Sequence, residues 1–194
     1  MAKPEAGQPW LGQPPAGAAW RWVSERGLRL ATGEATLARY VSLKNLKFAE
    51  IEDMIPADDS VLLILHRGAT VSPALQQALA ATPPAVPAAS GTLHTLVVEY
   101  GGAAGPDLAE LARQAGMDET TYIDSHSAVE YAVAFLGVHP GFPYLRGLPP
   151  ALCAPRRASP RVRVAPGSVA IGGGYCGIYP ASGPGGWQVI GRSG

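Results

Sequence analysis

Residues 155–192 read PRRASPRVRVAPGSVAIGGGYCGIYPASGPGGWQVIGR. The strand-like stretches at 161–164, 168–171 and 187–190 are short and parted by proline and glycine. Strands of that length bury little unless they have several neighbours and some curvature. A small barrel or strongly bent sheet is therefore expected here. The glycines at 171–186 are not a phosphate-binding P-loop, because the spacing differs and no Lys-Ser/Thr follows. No helix pattern follows them, so they are not a dinucleotide fingerprint. They suit tight turns and close backbone approach between strands. Their N–H groups offer an anion cradle as a second reading.

The same stretch holds the concentrated positive charge of the chain, Arg156, Arg157, Arg161 and Arg163. On an extended strand Arg161 and Arg163 point one way, Val162 and Val164 the other. Guanidinium forks suit a carboxylate, a phosphate or an acidic partner. The patch is short and has no aromatic interleaving, which speaks against nucleic acid. Just upstream, GVHPGFPYLRGLPP at 137–150 combines φ-fixing prolines with φ-permissive glycines. It reads as a rigid loop displaying Phe142, Tyr144 and Arg146, either plugging a barrel end or walling a ligand site.

His126 and Glu130 stand four apart on an expected helix, a spacing at which a carboxylate orients an imidazole for proton transfer. His139 lies in the rigid loop. Cys176 is a candidate nucleophile, with a small buried thiol as the plainer alternative. Serines 159, 168 and 182 sit in turns, outside any Gly-x-Ser-x-Gly elbow. No lysine follows Lys47, so phosphate or Schiff-base chemistry in the second half would fall to arginine or to a partner.

Further toward the N-terminus, Asp107 is expected to cap a helix with Glu110 as its reciprocal partner, Gly116 to end it, and Asp118 to cap a second helix. Thr92–Tyr100 and Tyr131–Leu136 read as strands, the latter buried. TPPAVPAASG at 82–91 is a linker by composition. Before it, 21–81 reads as a small α/β domain. It has a helix over Leu43–Ile55, a strand from Ser60 to His66, and a helix opened by Ser72 and Pro73. Residues 1–20, rich in proline, alanine and glycine, are expected to be a mobile tail, although Trp10 and Trp20 are unusual there.

The 194 residues carry 15 Lys plus Arg against 15 Asp plus Glu, so no net field favours nucleic acid or acidic lipid. Charged residues make up 15%, against about 25% in an average soluble domain. So few charges suit a chain with part of its surface covered by a partner. Two cysteines form no disulfide framework, and no Cys/His cluster has zinc spacing. There is no apolar run of membrane-spanning length and no signal-peptide pattern, so a cytoplasmic protein is expected.

LVVEYGGAAGPDLAELARQAG at 96–116, HSAVEYAVAFLGVHPGFPYLRGLP at 126–149 and the run at 155–192 together resemble the B subunit family of 5-oxoprolinase. That family is also known as allophanate hydrolase subunit 1 and as an inhibitor of a sporulation sensor histidine kinase. The resemblance implies an α+β chain, a small N-terminal α/β domain followed by a cyclophilin-like β-barrel at 92–194. It implies work with the A and C subunits, opening 5-oxo-L-proline to L-glutamate at the expense of ATP, with Mg2+ and with the nucleotide site on a partner. Inhibition of a histidine kinase, or carboxyltransferase-like chemistry on urea-type amides, are the alternatives. His126, Arg156 and Arg161 match family positions and become the candidate catalytic residues. Phe142, Tyr144, Ser168 and Tyr179 become the candidate substrate contacts. The family continues for another strand beyond the Gly-Arg of 191–192, and a barrel lacking that strand would expose an unpaired edge.

Overall fold

A computed structural model describes residues 17–82 and 91–194. The rest of the expected tail, Trp10 included, and most of the linker lie outside the described residues. The chain divides into two compact units, parting between Gly91 and Thr92.

The first unit is a four-stranded antiparallel sheet with two helices. Its elements are β1 (Trp20–Trp22), β2 (Gly27–Ala31), α1 (Thr36–Leu46), β3 (Ile51–Pro56), β4 (Ser60–Leu65) and α2 (Pro73–Ala80). The spatial order is β1-β2-β4-β3. Alternation sends Leu28, Leu30, Val61, Leu63 and Leu65 into the core, where they meet Leu43 of α1 and Leu75 and Leu79 of α2. The expected cap of α2 is present, with the Ser72 hydroxyl accepting the Leu75 N–H at 3.1 Å and Pro73 opening the helix. Two expectations are corrected. Trp20, assigned to the tail, is a buried strand residue. The helix placed over Leu43–Ile55 ends at Leu46, because Lys47 turns left-handed at φ 50° and the β-branched Ile51 and Ile55 pair with β4 instead.

The second unit holds β5 (Val98–Tyr100), α3 (Leu108–Gln114), α4 (Glu119–Ser127), β6 (Ala132–Leu136), β7 (Pro143–Arg146), β8 (Arg161–Val164), β9 (Ser168–Gly172), β10 (Tyr175–Ile178), β11 (Gly183–Gly185) and β12 (Gln188–Ser193). Six strands form one sheet in the order β5-β12-β9-β10-β7-β6, and β8 and β11 form a separate ribbon. The sheet is open, with β5 and β6 at its edges, so the closed barrel expected from the short strands is corrected. The final strand is no edge either, since β12 pairs on both sides, with β5 and β9. The expected strand over Thr92–Tyr100 shrinks to its last three residues, because only these reach β12. β6 forms where expected but is not buried, with Val133 and Leu136 about 60% exposed at the sheet edge.

The two faces of the sheet carry different cores. Val169, Ile171, Cys176 and Ile190 pack against α3 and α4. Ala170 and Val189, whose neighbours in the strand point the other way, pack with Phe142, Val164, Tyr179 and Trp187. α3 ends as expected at Gly116, which takes φ 70°. The Gly116 and Met117 amides bond the Arg113 and Ala112 carbonyls in a Schellman pattern. Asp118 caps α4 by accepting the Thr121 N–H at 2.7 Å.

Candidate functional site

The aromatic face is built around Trp187. Its ring is buried, and Phe142 and Tyr144 meet it edge-on at 5.3 Å each. Edge-to-face pairs of this kind are worth about 0.5–1.5 kcal/mol each beyond the area they bury. The ring fits because β9 and β10 present no side chain beneath it. A Cβ on Gly172 would stand 2.5 Å from the indole, and one on Gly177 2.9 Å from it and 2.8 Å from Phe142. The glycine run therefore serves aromatic packing, and Gly173 at φ 66° turns the β9–β10 hairpin. Phe142 is fully buried and not displayed, which corrects the loop reading. The 137–142 segment closes on itself through Gly137 N–H to the Phe142 carbonyl at 3.1 Å, and β7 begins at Pro143.

Three of the four arginines gather at this face. Arg156 is exposed and lies over the Trp187 ring, 5.8 Å from its centroid. Arg161 forks onto Asp107, Nη1 to Oδ2 at 2.8 Å and Nη2 to Oδ1 at 2.7 Å. Arg157 Nη1 donates to the same Oδ1 at 2.8 Å. Oδ2 also accepts the Val189 backbone N–H at 2.6 Å. Asp107 occupies the expected N-cap position of α3 but caps nothing with its side chain, which is spent on this cluster. Arg163 turns away to the Ser182 hydroxyl at 2.9 Å. The expected in-out alternation of β8 also fails. Against β11 it carries one extra residue, so Arg161 and Val164 both turn inward while Val162 is 90% exposed.

Tyr179 ties the two groups together. Burial raises its phenol above the usual range, against the lowering pull of a hydrogen bond from the Trp187 backbone N–H and of Arg156 and Arg161. Tyr144 borders the same phenol. Ser168 is buried at the start of β9, where its carbonyl accepts the Tyr179 N–H at 3.0 Å. Arg156, Arg161, Tyr144, Phe142, Tyr179 and Ser168 thus belong to one neighbourhood.

His126 does not. It is buried among α3, α4 and the opposite face of the sheet. Its Nδ1 shares a hydrogen bond of 2.8 Å with the Tyr100 hydroxyl, and its Nε2 faces the Cys176 thiol at 3.4 Å. With both ring nitrogens engaged, the expected pairing with Glu130 is corrected. Burial lowers the imidazole to about 4 from 6.5. The neighbouring Cys176 thiol is pushed up by burial to about 12, so the plainer reading of a small core thiol is the one that fits. His139 lies elsewhere again, packed near Gly183 of β11.

Sequence reasoning missed Asp107 and Trp187 as organisers. Asp107 was hidden by a good capping signal, and Trp187 matches a family position without any local signal of the packing it organises.

The carboxyltransferase domain family, subdomains C and D, matches residues 18–194. The chain is 56% identical over 96 residues to the 5-oxoprolinase B subunit of Escherichia coli O157:H7, 50% of this chain and 44% of that protein. It is 48% identical over 94 residues to the Bacillus subtilis protein of the same name, 48% of this chain and 39% of that protein. The aligned stretch thus spans less than half the length of these relatives. The solved structure of TTHA0988 superposes with a TM-score of 0.72 at 32% identity, over 87% of this chain and 35% of that one. The Kluyveromyces lactis urea amidolyase shares the fold at a TM-score of 0.71 and 20% identity, over 90% of this chain and 13% of that one. The match across nearly all of both units places this chain in the carboxyltransferase domain, subdomain C and D, family.

Proposed function

We propose that this chain is the B-type component of an ATP-dependent 5-oxoprolinase, opening the ring amide of 5-oxo-L-proline to L-glutamate together with the A and C subunits. The observation that carries the reading is the arginine-aromatic face of the second unit, in a chain about half of which is 48–56% identical to 5-oxoprolinase B subunits. A lactam acid offers one carboxylate and a small, partly apolar ring. An exposed guanidinium resting on an indole beside two tyrosines suits both parts.

Within this reading Arg156, Arg161, Tyr144, Phe142, Tyr179 and Ser168 form the substrate-side group. Arg156 is the residue offered to the ligand, Phe142 packs against the Trp187 ring that Arg156 overlies, and Ser168 holds the Tyr179 backbone. His126 belongs to the helix-side core. A neutral imidazole held by Tyr100 and Cys176 has its proton exchange directed inward. The glycine run of the second unit is no cradle for the ATP phosphates. No lysine follows Lys47, and the glycine run is occupied by Trp187 and a hairpin turn. No group of three or more His, Cys, Asp or Glu among the described residues is placed to hold Mg2+. We assign both to a partner protein, and no step of the chemistry is routed through them here. The relation of the open sheet to a cyclophilin-like barrel is part of the same proposal.

The test is ATP hydrolysis by the chain mixed with the A and C subunits of a 5-oxoprolinase. The reading expects hydrolysis that depends on both 5-oxoproline and this chain. Hydrolysis that is indifferent to either would overturn it.

A further inference from the structure

Four arginines stand within eight residues of one another, yet of the three that gather at the Trp187 face the geometry makes only one available to a ligand. The Asp107 carboxylate is 10% exposed and accepts four donors, two on each oxygen. Two oxygens offer about four lone-pair sites, so this carboxylate is saturated. Arg161, 24% exposed, gives both ends of its fork to that carboxylate. An incoming carboxylate would have to displace an internal one of the same chemistry that is already desolvated and in register. Arg157 gives its Nη1 to the same group, and Arg163 turns away from this face, its Nε on the Ser182 hydroxyl. Arg156 has no ion pair among the described residues and rests on Trp187.

The placement of Arg156 follows from the same clamp. The Arg157 N–H donates to the Gly186 carbonyl at 2.7 Å, which fixes the 155–157 segment beside Trp187. Asp107 then holds the Arg157 and Arg161 side chains, and with them both sides of the 158–160 turn, to the Val189 amide of β12. A guanidinium whose neighbours are locked in this way meets a ligand with little of its own freedom left to lose.

We propose that Asp107 is a positioning residue that withholds Arg157 and Arg161 from ligand, leaving Arg156 on the Trp187 indole as the carboxylate receptor of this face. The ligand class rests on the 5-oxoprolinase reading, but the division of labour among the arginines does not. The experiment is an NMR titration of the full chain with 5-oxo-L-proline, and separately with acetate, following the arginine Nε–Hε resonances. The Arg156 resonance shifts saturably with 5-oxoproline, while those of Arg157 and Arg161 stay in place. In Asp107→Asn the loss of one carboxylate charge frees Arg161, whose resonance then shifts with acetate as well. Asp107→Glu keeps the charge and restores silence at Arg161. Backbone amide spectra of each variant establish that it is folded, and Arg156→Lys serves as an independent probe if Asp107→Asn does not fold. That variant abolishes the 5-oxoproline response while leaving the Arg161 resonance where it was. A shift at Arg161 in the wild-type chain, or no shift at Arg156 with either carboxylate, overturns the proposal. A response at Arg156 to acetate but not to 5-oxoproline sustains the division of labour and removes the substrate reading instead.

Discussion

Lowering the pH from 7 to 4 should loosen the second unit through one side chain, His126. Its folded imidazole is held at about 4 by burial, against an ordinary value of 6.5. The unfolded chain therefore takes up the proton first, and stability rises with pH across this window. The contribution is complete above about 6.5 and is lost as the pH falls to about 4. At ~1.36 kcal/mol per pH unit the gap amounts to about 3 kcal/mol, a large share of the stability of a small domain. Two exposed carboxylates of the same unit act in the same direction but at lower pH. Glu110 is lowered to about 2 by Arg113 and Gln114, and Asp118 is held below its ordinary 3.8 by the Thr121 N–H. The assay is amide hydrogen exchange of Val169, Ala170 and Ile171 in the central strand, corrected for the intrinsic pH dependence of exchange. Protection should fall on the order of 100-fold between pH 6.5 and 4 in the wild-type chain. In His126→Gln the same amides start from lower protection but lose little more across that window. An equal pH slope in both proteins, or a flat one in the wild type, would refute a buried neutral imidazole.

Two other perturbations have magnitudes set by the geometry. Asp107→Ala leaves Arg157, Arg161 and the Val189 amide without their shared acceptor, and should destabilise the second unit by about 3–5 kcal/mol, read by chemical denaturation. Gly177→Ala drives a methyl to within 3 Å of Phe142 and Trp187, and should cost about 1–3 kcal/mol with a changed near-ultraviolet circular dichroism band, while leaving the Asp107 cluster paired.

Much of this fold was legible because its signals are local. Ser72-Pro73, Asp118 and Gly116 mark helix ends by chemistry that involves only their own neighbours. The readings that failed depended on partners distant in sequence. Asp107 has the position of an N-cap, but two guanidinium groups some fifty residues away offer its carboxylate more than a helix N-terminus does. The apolar run at 131–136 looked buried because nothing in it announces an edge strand. The alternation of β8 was undone by a bulge whose existence depends on β11. For the candidate site, the sequence brought the arginines and aromatics into one stretch, and the sheet then sorted them. Odd and even residues of β9 face different cores, and that separates His126 from Tyr179 although both belong to the same resemblance.

The central claim is that one exposed guanidinium on an indole shelf recognises the substrate's carboxylate within a three-component enzyme. Steady-state kinetics of the assembled complex carrying Arg156→Lys tests it most directly. Loss of a charge-assisted fork contact worth about 1.5–3 kcal/mol should raise KM for 5-oxoproline roughly 10- to 100-fold with kcat little changed. A KM equal to that of the wild-type complex would contradict it.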